Sequence, residues 1–109
     1  MEIRKDLSKK EIEKKASDFV FGVEKGNWWR GHYIVLIDWL EWDEDENKRK
    51  YSGVELKTVP HDYSNSDYEF IAEVETFRGG VNRYSDGEGN YYSRDDVVKM
   101  IAKAIEEYM

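Results

Sequence analysis

Five consecutive apolar residues, Tyr33-Ile34-Val35-Leu36-Ile37, constrain the fold of this chain more than any other segment. Most are β-branched or aromatic, which predicts a strand covered on both of its faces. Three elements compete to cover the outer face: the amino-terminal helix, the segment Trp28-Trp29, or a dimer interface. The chain has 109 residues and no cysteine, so disulfides, thiolate nucleophiles and thiolate metal sites are excluded and packing alone must hold it together.

The flanking elements follow from spacing. Ser8 with Glu11 has the form of a capping box, and Ile12, Ala16, Phe19, Val20 and Val23 recur at helical intervals, predicting a helix over about 9 to 23 that Lys25-Gly26-Asn27 terminates. Phe19, Phe21 and Val23 also fit an alternating strand, so residues 18 to 24 stay open between the two. Beyond Ile37 polar positions return, and the strand runs to Trp42 before a solvated hairpin loop over 43 to 50. A return strand from Tyr51 to Val59 ends at Pro60, and Asp62 to Asp67 forms a surface connection. Tyr68 to Phe77 sets Tyr68, Phe70, Ala72 and Val74 against Glu69, Glu73 and Glu75, a period-two pattern. Gly79-Gly80 turns the chain into a short strand, Val81 to Tyr84, and Asp86 to Asn90 is a loop. Ser93 with Asp96 opens a closing helix whose stripe is Val97, Val98, Ile101, Ala102, Ile105 and Tyr108.

These elements give one α+β domain over residues 1–109. An N-terminal helix, an antiparallel meander of three or four strands and a C-terminal helix packed on the sheet follow in order, with residues 1–7 frayed. A strand from His32 to Trp42 spans roughly 35 Å, whereas a fifteen-residue helix covers about 22 Å, so the hairpin should overshoot its helical cover.

Charge narrows the choice of partner. The formal net charge is −7; residues 1–15 carry six basic and four acidic side chains, so the rest of the chain is more acidic still. Direct binding to phosphate backbones is excluded as an expectation, because it depends on clustered Lys and Arg. No apolar run reaches the roughly 18 residues of a membrane helix and no signal-peptide stretch is present, which makes the cytoplasm the expected compartment.

Motifs for chemistry are weak. His32 and His61 are the only imidazoles and carry no metal-ligand spacing. Asp43-Glu44-Asp45-Glu46-Asn47 resembles the start of a calcium loop, but Lys48 stands where glycine is needed and Val54 where a bidentate glutamate is needed. The Gly79-Gly80 and Gly87, Gly89 pairs match no phosphate-binding fingerprint and read as turns. Glu73 and Glu75, two apart on a strand, read as a solvated face rather than an acid and base pair. No cofactor or metal is expected.

Recognition is the better-supported expectation. Trp28, Trp29, Trp39 and Trp42 all fall within fifteen residues that run into the acidic tract 43–46. Indoles supply large contact area and carboxylates favour cationic partners. The expected binding residues are Trp39, Trp42, Asp38, Glu41, Asp43, Glu44, Asp45, Glu46, Glu69, Glu73 and Glu75, with Trp39 and Trp42 on opposite faces. The expected function is a non-enzymatic, acidic protein-binding module that inhibits a nucleic-acid-processing enzyme or toxin by partial phosphate mimicry, as a phage anti-defence or immunity protein does. One alternative is a homo-oligomeric structural or accessory protein with a dimer interface on the double-sided strand. Another is a small-ligand binder or enzyme using His32 and His61.

Overall fold

The computed structural model describes residues 1–65 and 67–108, so Ser66, inside the expected surface connection, lies outside the described residues. Along the chain come β1 (Glu2–Arg4), α1 (Lys9–Glu24), β2 (His32–Asp43), β3 (Lys48–Pro60), β4 (Tyr68–Phe77), β5 (Val81–Ser85), β6 (Tyr91–Tyr92) and α2 (Arg94–Tyr108). The strands form one antiparallel sheet in the order β1-β3-β2-β4-β5-β6. The α+β class stands, but the sheet has six strands rather than three or four. Both additions are short. β1 lies in the segment expected to fray and is held by backbone pairing, with Met1 N donating to Leu56 O at 2.6 Å and Leu56 N to Met1 O at 2.8 Å.

Both helices begin as their caps dictate. Glu11 N donates to Ser8 Oγ and Ser8 N to Glu11 Oε1, completing the capping box, and Ser93 with Asp96 repeats it at α2. Residues 18–24, open between helix and strand, are helical, because Ala16, Val20 and Val23 bury at helical spacing while Phe21 stays exposed. Trp28 closes the end of α1: its Nε1 donates to Val23 O at 2.9 Å, a terminal carbonyl that also accepts Gly26 N.

The main core lies between one face of the sheet and both helices. Ile34 and Leu36 of β2, Val54 and Leu56 of β3, and Ala72 and Val74 of β4 meet Ile12, Ala16 and Val20 of α1 and Val97, Ile101 and Ile105 of α2. Full burial of one such aliphatic side chain contributes about 1.5–3 kcal/mol. The opposite face carries a smaller cluster of Val35, Ile37 and Val59, against which Tyr33, Tyr63 and Tyr68 pack. The double-sided strand is therefore covered by tyrosines of the sheet itself and of the β3–β4 connection. Neither the amino-terminal helix nor Trp28-Trp29 covers this face: α1 and Trp28 pack on the opposite side, and Trp29 is exposed.

A bulge in β4 corrects the acidic face expected there. Ile34 pairs with Ala72 and Val35 with Phe70, so Ile71 is the extra residue, and Ile71 and Ala72 both pack in the helix-side core. Cross-strand partners share a face, and the pairing of Leu36 with Glu69 puts Glu69 on the helix side. Glu73, opposite Tyr33, points to the other side. A slip of one residue inverts every later position, so Glu69 is separated from Glu73 and Glu75.

The β2–β3 hairpin is longer than its loop composition suggests. Pairing runs to Asp43 with Lys48, so the expected loop over 43–50 shrinks to a tight turn with Asn47 at φ 51°. The charged residues Lys48, Arg49 and Lys50 are strand residues set opposite Asp43, Trp42 and Glu41. The molecule measures 52 × 32 × 23 Å, and the far half of the hairpin has little helical cover: Leu40 is 44% exposed and Trp42 57%. No described helix is long and apolar enough to cross a membrane.

Candidate functional site

The expected binding residues fall into three groups. Asp43, Glu44, Asp45 and Glu46 form the hairpin tip, where Asp43 Oδ1 accepts the backbone N–H groups of Asp45 and Glu46 and thereby shapes the turn. Glu46 pairs with Lys48 at 2.8 Å. Residues 43–50 carry four acidic and three basic side chains, so the tip is nearly neutral.

The second group lies on the face away from the helices. Trp39 pairs with Gly53, which in turn pairs with Arg4, and the Arg4 guanidinium sits 4.4 Å from the Trp39 ring centre. Arg4 also holds Glu41 at 2.9 Å. Hydrogen bonds from Ser52 and Arg4 keep the Glu41 carboxyl below the usual carboxylate range. Glu75 pairs across the strands with Arg83, and Glu73 Oε1 lies 3.6 Å from His61 Nε2, whose ring stacks on Tyr33 at 4.5 Å. Most of these carboxylates thus already face a cation of the same chain.

The third group lies on the helix side, where the sheet extends beyond the helical layer. Asp38 pairs with Val54 of the core, and Leu40 with Tyr51, so Asp38, Leu40 and Trp42 continue the inward-facing row of Ile34 and Leu36 into solvent. Trp39 and Trp42 accordingly occupy opposite faces. Burial first, then the Asp38 carboxylate, pushes the Tyr51 phenol up, and burial with Asp38 and Glu69 does the same for Tyr108. Asp38 and Glu69 therefore flank Tyr51 and Tyr108 where α2 ends. Leu40, Tyr51 and Tyr108 were not expected in the site. The signal for Leu40 was its place between Asp38 and Trp42 in the period-two row; nothing in the sequence joins Tyr108 to them.

The two histidines do not form a pair. His32 pairs with Val74 and touches Trp28 at 4.9 Å on the helix side, whereas His61 stacks on Tyr33 of the other face. The two imidazoles therefore pack on opposite faces of the sheet. Among the described residues no three His, Asp or Glu side chains are grouped to hold a metal ion.

No protein-family model matches the chain, and neither a curated protein nor a solved structure is significantly similar to it.

Proposed function

We propose that this chain is a non-enzymatic protein-binding module that docks the overhanging helix-side face of its β2–β3 hairpin onto a basic, partly apolar surface of its target. The observation that carries this reading is the exposure of Leu40 and Trp42 in register with the core row, beside the carboxylates of Asp38 and Glu69. An uncovered continuation of a core face is completed by an element from outside, and aromatic anchors with flanking charge are typical of such contacts.

The target class that fits is a nucleic-acid-processing enzyme, whose Arg- and Lys-lined groove would receive Asp38 and Glu69 where phosphates bind and the indole of Trp42 where a base stacks. The near-neutral tip favours contact mimicry at this face over a long-range acidic field.

The test is capture from a nuclease-rich lysate with wild type and with a Leu40→Asp, Trp42→Ala double variant, followed by inhibition assays on what is retained. A basic nucleic-acid enzyme that wild type inhibits and the double variant releases is the expected result. Equal inhibition by both proteins overturns the reading. Sedimentation as a stable dimer with Trp42 protected from quenchers replaces it with self-association through the same face.

A further inference from the structure

At the end of the sheet away from the hairpin tip, a cavity of about 490 Å³ opens between the end of α1 and the start of α2, lined by Glu24, Tyr84, Tyr91, Tyr92, Arg83 and Arg94. The volume lies in the range of small-molecule sites, roughly 300–1,000 Å³. Arg94 is the cation that faces Glu24 here, since Arg83 of β5 pairs with Glu75 on the other face of the sheet.

Two features set this cavity apart from an ordinary surface crevice. Arg94 Nε holds Glu24 Oε1 at 2.7 Å, yet Glu24 is the last residue of α1 and Arg94 the first of α2. Each charge therefore sits at the helix end whose dipole disfavours it. An oxyanion at the α2 end would be favoured by both Arg94 and the helix, so Glu24 occupies a seat suited to an external carboxylate. The second feature is independent: Tyr84 is 5% exposed and its hydroxyl is buried with no hydrogen-bond partner among the described residues. Buried polar groups are nearly always paired, so an unpaired phenol beside an ion pair is a donor available to an acceptor that enters there. Burial, then the Glu24 carboxylate, pushes this phenol up to about 12, so its ionisation beside Glu24 is disfavoured. Tyr91, 64% exposed, and the half-buried Tyr92 add aromatic walls.

We infer that this cavity binds a small aromatic carboxylate, whose carboxylate displaces Glu24 from Arg94 and accepts the Tyr84 hydroxyl while its ring packs against Tyr91 and Tyr92. This site is separate from the hairpin face and stands or falls without it.

The test is titration with benzoate and 4-hydroxybenzoate, with benzamide and inorganic phosphate as the neutral and non-aromatic comparisons, followed by amide and Arg Nε–H resonances. Saturable shifts at Arg94, Tyr92 and Ser93 are expected with the carboxylates. Glu24→Gln removes the internal competitor and should tighten binding by about tenfold; Tyr84→Phe, losing one hydrogen bond, should weaken it by about three- to tenfold. Arg94→Met should abolish it. The assignment is overturned if neither carboxylate gives saturable shifts in the Glu24→Gln protein, if benzamide or phosphate binds as tightly as benzoate, or if Glu24→Gln weakens binding.

Discussion

The guanidinium of Arg4 reaches the ring of Trp39 at 4.4 Å across Gly53, the strand residue between them that has no side chain. A Cβ at Gly53 would collide with the carbonyl oxygen of Ile3, so glycine here permits both the close approach of β1 and the stacking above it. An edge strand of three residues is thereby clamped to the sheet by one backbone gap and one cation–π contact.

Arg4→Ala should cost at most about 1 kcal/mol, because its contacts to Trp39 and Glu41 are partly exposed. Gly53→Ala should cost about 1–3 kcal/mol through the steric clash. Urea unfolding measures both. Amide exchange distinguishes them: Leu56 N, bonded to Met1 O, loses protection in Gly53→Ala and keeps it in Arg4→Ala.

Thr76→Val should destabilise the fold by about 1–3 kcal/mol although it conserves volume. The Thr76 hydroxyl is buried, accepts from Trp28 N at 2.7 Å and donates to Asn82 Oδ1 at 2.5 Å. The valine would leave a backbone donor and an amide oxygen unpaired at the point where the α1–β2 connection meets the sheet. Chemical denaturation gives the number; a loss below about 0.5 kcal/mol would mean that water replaces the hydroxyl.

Tyr84 links stability to alkaline pH. Its folded-state pKa is raised to about 12 from 10.0, so the folded state prefers the protonated phenol. The associated stability is fully present below pH 10 and is lost as pH climbs through about 12. Tyr51 and Tyr108, also raised, act in the same direction. Denaturation midpoints measured across this window should fall less steeply in Tyr84→Phe than in wild type; parallel curves would refute the linkage. At neutral pH the same variant should be as stable as wild type or slightly more so, since it removes an unpaired hydroxyl.

Leu40→Ala and Trp42→Ala should each cost about 1 kcal/mol, because both side chains are only about half covered. Leu36→Ala, two residues earlier in the same row and fully buried, should cost about 2–5 kcal/mol. Thermal unfolding of the three variants separates the overhang from the core. Equal losses would show that the far half of the hairpin is covered in solution.

Much of the architecture was legible in the residues. The capping pairs Ser8–Glu11 and Ser93–Asp96, the helical stripes and the apolar run 33–37 each act over a few positions, and local patterns of that kind survive folding unchanged. β1 and β6 were not legible, because strands of three and two residues are too short to show a period and exist only through pairing with β3 and β5. Lys48 to Lys50 look like loop in composition yet are strand, since opposite charges across the ladder stabilise them there.

The amino-acid order by itself determined two amphipathic helices, a central strand needing cover on both sides and a hairpin longer than its support. Tertiary structure alone decided which carboxylates share a face, because the single extra residue Ile71 sends Glu69 to the helix side and leaves Glu73 on the other. It also decided that Arg4 caps Trp39 and that Glu24 meets Arg94, residues separated by dozens of positions. Periodicity records which way a side chain points along its own element; register and packing set what it meets, and those are properties of the whole chain.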